Sequence, residues 1–250
     1  MKKAIIIGAT SGLGREVARR LVRKGWKVAV CGRRTEALES FRDEYGSDKV
    51  CIATMDVMQE EAAGILDGLI TEMGSPDLFF FVSGIGLQNL ELDVDKEVRM
   101  VKTNSEGFVR LTMRFLNYVR NSGEYSSARK AHVAVVTSVA GTAGLGTAPG
   151  YSATKRMQMT YISALAQLSR MIDLPVDFTD IRPGFVKTDI LNPNKHYPML
   201  ISLEDAGNHI VKALERRKRV LIFDWRFKLL VCLWKLIPRW LWERISFIRN

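Results

Sequence analysis

Two side chains suited to moving a proton, Tyr151 and Lys155, stand four residues apart in YSATK (151–155), at what reads as a helix start. Residues four apart share a helix face, so a phenol and an ammonium would be neighbours there. Packing alone does not require that pairing. A free phenol titrates near about 10, too high for ready exchange at neutral pH, and an adjacent cation favours the phenolate and lowers that value. The pair suits a reaction in which a carbonyl carbon takes up hydride and its oxygen takes up a proton. Ser138, at the end of the apolar run HVAVVTSVAG (132–141), can hydrogen-bond the same oxygen and hold it near Tyr151.

Hydride must come from a cofactor, and the stretch GATSGLG (8–14), between the first apolar run and the first amphipathic segment, can hold one. Gly8 permits a tight turn, Gly12 lets backbone approach a pyrophosphate, and Gly14 allows close helix–strand packing. The helix start that follows presents free N–H groups and partial positive charge to phosphate. At the end of the second apolar run, where a carboxylate would bind the ribose 2′-hydroxyl of NAD, the chain has Gly32, Arg33 and Arg34. A planar guanidinium at Arg33 suits a 2′-phosphate, so NADP(H) is the expected cofactor. Asp56 is placed to accept from the adenine amino group, with Val57 against the ring. Lys155 would also hold the nicotinamide ribose.

Together these residues resemble the short-chain dehydrogenase/reductase family over about residues 3–223. The glycines match at Gly8, Gly12 and Gly14, the adenine-site aspartate at Asp56, and the four active-site positions at Asn104, Ser138, Tyr151 and Lys155. The resemblance implies an NADP-dependent enzyme acting on CH–OH groups, with Asn104 keeping a water in a proton relay behind Lys155. It adds cofactor contacts from Thr10, Ser11 and Leu13 in the turn, from Ser83 and Gly84, and from Pro183, Gly184, Val186 and Thr188 in RPGFVKT (182–188). One stretch departs from the pattern: where the family has Asn-Asn-Ala-Gly, this chain has Val82-Ser83-Gly84-Ile85, without the amides that tie neighbouring strands.

The elements that must position these groups alternate along the chain. Apolar runs at 3–8, 27–32, 49–57, 76–84, 132–141, 175–184 and 219–223 predict seven strands. Helical segments over 13–24, 35–45, 59–73, up to 121, 150–171 and 203–215 separate them. Short β-branched runs between helices predict an α/β, Rossmann-type doubly wound domain over 1–223, its parallel sheet covered by helices on both faces. MKKAIIIGAT reads as the first strand rather than a signal peptide. Three cysteines without C-x-x-C spacing favour a reducing, cytoplasmic setting. His132, His196 and His209 are scattered, and no metal is expected.

Charge separates the last segment from the rest. Of a net +10, the stretch from Lys212 to Asn250, with eleven Lys or Arg against three Asp or Glu, carries all but two. The nearly neutral body argues against a nucleic-acid partner. Residues 224–250 form a tail of tryptophan, leucine and cations that Pro238 splits into two short helices. It suits contact with a membrane surface, at the inner membrane face, docking on the protein's own domain, or contact with a second subunit of a homo-oligomer. Phe185, Ile190, Leu191, Tyr197, Met199 and Leu200 offer either an apolar lining for a hydrophobic, lipid-like ketone or alcohol or a loop simply packed on the core. The competing reading is a non-catalytic NADP(H)-binding sensor or scaffold, which has no need of Tyr151 and Lys155 together.

Overall fold

The computed structural model describes residues 1–188 and 197–246. Seven parallel strands form one sheet: β1 (Lys3–Ile7), β2 (Lys27–Gly32), β3 (Val50–Thr54), β4 (Leu78–Phe81), β5 (Ala131–Val136), β6 (Val176–Ile181) and β7 (Val220–Leu221). Their spatial order, β3-β2-β1-β4-β5-β6-β7, reverses direction between β1 and β4. That reversal opens a crevice at the carboxyl ends of the two strands, the usual ligand position in such sheets.

Between the strands run α1 (Gly12–Arg23), α2 (Thr35–Tyr45), α3 (Ala62–Met73), α4 (Val94–Val101), α5 (Gly107–Asn121), α6 (Pro149–Met171) and α7 (Leu203–Glu215). Each strand is apolar on both sides because helices cover both. In β4 all four residues are buried, with Leu78 and Phe80 facing α1, α2 and α7, and Phe79 and Phe81 facing α3, α5 and α6. Phe79 stacks on Phe115 with ring centroids 4.9 Å apart, and Phe81 meets Phe108 edge-on at 5.3 Å. Aromatic pairs of this kind add about 0.5–1.5 kcal/mol beyond their burial.

The strands are shorter than the apolar runs. The fifth run extends to residue 141, yet β5 ends at Val136, and Val139–Thr142 form a 3-10 turn. Burial continues past the end of the ladder, with Val139 and Gly141 both buried in that turn. The helical stretch through residue 121 is also not uniform: a π-helical turn, Lys102–Glu106, joins α4 to α5. The extra residue in such a turn re-aims the side chains and carbonyls it carries, and one of its residues is Asn104.

The tail forms α8 (Trp225–Leu236) and α9 (Arg239–Trp242), divided at Pro238. It packs on its own domain. Phe227 and Val231 are buried against Val139, with Phe185 and Met199 around them, and Trp242 donates its indole N–H to Gly144 O at 2.7 Å. Phe185 and Met199 therefore support α8 instead of standing free as a substrate lining. Ile190, Leu191 and His196 lie outside the described residues.

Candidate active site

The glycine turn sits at the end of β1. Gly8 has a φ of +95°, and a Cβ there would fall 2.6 Å from the backbone nitrogen of Ser83. Only glycine lets β1 and β4 close on one another at this point. The missing asparagine amides have a backbone substitute: the N–H groups of Val82 and Ser83 both donate to Ile7 O at 2.9 Å. At the start of α1, the Ser11 hydroxyl does not cap the helix, and the first turn holds no acidic residue. Its N–H groups remain available to an anion.

Arg34 reaches back from the end of β2 to donate to Ser11 Oγ at 2.6 Å and Thr10 Oγ1 at 3.0 Å. Gly32 lies beneath it, where a Cβ would meet Thr10 Cγ2 at 2.5 Å and push the threonine aside. Arg33 is exposed and makes no hydrogen bond or ion pair among the described residues. Asp56 spends Oδ1 on the N–H of Met58 at 3.0 Å and, with Val57, borders the same opening.

The turn, both arginines, Asp56, Ser83, Gly84, Tyr151, Lys155 and the Pro183–Thr188 loop line one cavity of about 610 Å³. Every residue expected at the cofactor borders it except Gly14, which packs against the carbonyl of Gly8 beneath the turn. The groups present fit a dinucleotide: a glycine-lined helix start in the middle, cations at one end, and Tyr151 with Lys155 at the other.

Pro149 opens α6 in its first turn, where a missing N–H costs nothing. Tyr151 and Lys155 lie one turn apart, with Lys155 Nζ 5.9 Å from the centroid of the phenol ring. Gly86 lies against that ring; a Cβ there would approach it to 3.1 Å. Burial raises the Tyr151 phenol above its ordinary value, while the Ser138 hydroxyl beside it pulls the other way. In the chain alone desolvation outweighs the Ser138 hydrogen bond, so the phenol stands above its ordinary value. Burial also lowers Lys155 to about 8, opposed by the carboxylate of Asp180. The buried Ser138 accepts the N–H of Ala140 at 3.1 Å, which fixes its side chain.

Asn104 is fully buried in the π turn. Its amide exchanges two hydrogen bonds with Ile85, accepting from the N–H at 2.9 Å and donating to the carbonyl at 2.8 Å, and also donates to Thr154 Oγ1 at 3.1 Å. Behind Lys155, the amide of Gln158 bridges the ammonium and the Asn104 carbonyl. Gln158 is missing from the residues singled out in the sequence, although its i+3 spacing from Lys155 places it on the same helix face. A second buried set also escaped notice. Thr137 Oγ1 donates to Asp180 Oδ1 at 2.6 Å, and Arg182 pairs with Asp180 Oδ2. Asp180 is buried within the sheet.

Two of the three histidines fall among the described residues. His132 is buried and bonded to Thr179 Oγ1 at 2.8 Å, and His209 stacks on Phe223. Burial drops His132 to about 4.

The fold and cavity define a dinucleotide-binding domain with a tyrosine and lysine at one end of the site. The short chain dehydrogenase family matches residues 2–197, and the chain belongs to that family of oxidoreductases. The chain is 28% identical over 248 residues to an uncharacterized oxidoreductase of Myxococcus xanthus, covering 97% of this chain and 95% of that one. It is 30% identical over 188 residues to the NADP-dependent 3-hydroxy acid dehydrogenase of Escherichia coli K12, covering 73% and 71%. Among solved structures, a short chain dehydrogenase/reductase from Burkholderia phymatum in complex with NAD superposes with a TM-score of 0.80 at 19% identity, over 93% of this chain and 92% of that one.

Proposed function

We propose that the protein is an NADP(H)-dependent oxidoreductase interconverting a ketone and a secondary alcohol on a hydrophobic, lipid-like substrate. The observation that carries this reading is the placement of Tyr151, with Ser138 beside its phenol, and Lys155 in a cavity that Arg33 and Arg34 also line. When bound, NADP(H) supplies or accepts hydride at the substrate carbon. Tyr151 gives its phenolic proton to the carbonyl oxygen in reduction and takes it back in oxidation. Ser138 bonds the same oxygen and fixes its distance from the phenol. Lys155 holds the ribose and, while protonated, favours the phenolate form of Tyr151. Gly8, Gly12 and the N–H groups of α1 hold the pyrophosphate, Arg33 the 2′-phosphate, and Asp56 the adenine.

Two features support a 2′-phosphate rather than a free ribose. Gly32 leaves no carboxylate, and a side chain there would strike Thr10. Arg34 adds positive charge directly over the glycine turn. The similarity to the NADP-dependent enzyme of Escherichia coli agrees with this choice.

Residues 224–250 act as a peripheral membrane contact in this reading. The outward face of α8 and the start of α9 expose Trp225, Leu229, Leu233, Leu236 and Trp240. Lys228, Lys235, Arg239 and Arg244 surround them, a combination suited to acidic headgroups. No helix among the described residues is long and apolar enough to cross a membrane. The oligomer contact expected of the tail would use the same exposed face of α8.

The test is NADPH oxidation and NADP+ reduction across a panel of apolar ketones and secondary alcohols. Turnover that disappears in Tyr151→Phe supports the assignment. Tight NADPH binding with no turnover on any member of the panel makes the protein a binding module instead.

A further inference from the structure

Gln158 is fully buried on the inner face of α6. Its two amide atoms face two different groups. Oε1 accepts from Lys155 Nζ at 3.1 Å, and Nε2 donates to the Asn104 carbonyl at 2.7 Å. Chemistry fixes this orientation. An ammonium has donors only and a carbonyl only acceptor sites, so the reversed amide would set donor against donor and acceptor against acceptor.

Each contact answers a need created elsewhere. Lys155 has three N–H donors and is buried, and the sheet supplies one acceptor, Val136 O at 2.9 Å. Gln158 supplies a second, leaving one donor for the cavity. Gly84 lies directly above, where a Cβ would stand 3.3 Å from Nζ. The Asn104 carbonyl belongs to the π turn, and the amide of Gln158 partners it. The same asparagine clamps Ile85 on the cavity wall. One side chain therefore joins the lysine, the π turn and the wall.

We propose that Gln158 is a positioning residue for the reaction. It holds Lys155 charged and aimed at the cavity by bridging it to the Asn104 carbonyl. The proposal rests on the reading of Tyr151 as proton donor and Lys155 as its cationic partner. The groups facing Lys155 are Asp180 from β6, which favours its charge, and Tyr151 from its own helix. Burial works against that charge and brings the lysine to about 8, close enough to neutrality for one neutral acceptor to matter.

Two substitutions separate positioning from filling space. Gln158→Leu keeps most of the volume and removes both hydrogen bonds. Gln158→Ala removes the volume, and the hole, lined by an ammonium and a carbonyl, has the polar partners and room a water requires. The primary readout is the titration of the Lys155 ε-methylene, followed by isotope-edited NMR in the full-length protein with and without NADP+. The resonance is assigned by its loss in Lys155→Met. The leucine variant is expected to titrate about one pH unit lower, and the alanine variant near wild type. Where ketone reduction is measurable, the falling limb of the rate–pH profile moves to lower pH in the leucine variant alone. Gln158→Met serves if the leucine protein does not fold.

A wild-type titration in the leucine or methionine variant overturns the proposal. So does a larger disturbance from alanine than from leucine, since that order marks a packing role. Absence of turnover in the wild type would sink the oxidoreductase reading, yet the NMR titration would still decide the role of Gln158.

Discussion

Arg34 and Ser11, twenty-three residues apart in the chain, meet at 2.6 Å across the mouth of the cavity. The contact ties the end of β2 to the glycine turn and leaves Arg33, one residue earlier, exposed and unengaged among the described residues. The two neighbouring cations thus divide the work, one shaping the turn and the other open to a ligand. Arg33→Ala is expected to weaken NADPH about tenfold to a hundredfold, because a charge-assisted phosphate contact contributes about 1.5–3 kcal/mol. NADH affinity should change little. Fluorescence titration with both cofactors checks this, and equal losses would remove Arg33 from the 2′-phosphate site.

Tyr151→Phe removes one oxygen and almost no volume. Turnover should fall by about 10²–10⁴-fold, the range for loss of a positioned proton donor. NADPH affinity should stay within a few-fold, measured on the same preparation. Retention of wild-type rates would mean another group gives the proton.

The tail carries a structural prediction. Phe227 fills the space over Gly184 and Val139, the latter next to Ser138. Phe227→Ala should lower stability by about 3 kcal/mol, the low end for a buried phenylalanine, since this cluster is small. Urea unfolding at constant slope measures it. Removing residues 224–250 altogether should expose the same surface, so a truncated protein is expected to aggregate.

Membrane contact is better tested on the outer face of α8. Leu229→Ser, Leu233→Ser and Leu236→Ser combined leave the packed residues untouched and remove apolar area from the exposed stripe. The parent should sediment with anionic vesicles and be partly released by salt, since screening weakens the Lys and Arg contribution alone. The triple variant should be released completely. A parent that ignores vesicles of either charge would end this reading.

His132 makes stability pH-dependent. It is held neutral by burial to about pH 4, whereas in the unfolded chain it takes up a proton near about 6.5. Between those values the unfolded state binds more protons, so stability falls as pH drops through that window and levels off below it. The total is about 3 kcal/mol. His132→Gln, which can still bond Thr179, should flatten this part of a stability–pH curve.

Local chemistry made much of the protein legible in its sequence. A glycine turn after an apolar run, a Tyr-x-x-x-Lys at a helix start and apolar runs alternating with amphipathic segments each impose short-range geometry. The seven strands, the two-sided sheet and the neighbourhood of Tyr151 and Lys155 follow from them. Other features depend on partners far along the chain. Asp180 became a buried acceptor for Thr137 and Arg182 only once β6 was paired on both sides. Gln158 gained its role because a π turn fifty-four residues earlier brought the Asn104 carbonyl to it. Phe185 and Met199, apolar enough to line a site, were claimed by α8. Periodicity and motif spacing record what a residue's neighbours in sequence require; burial and the pairing of polar groups are set by whichever distant segment the fold brings against them.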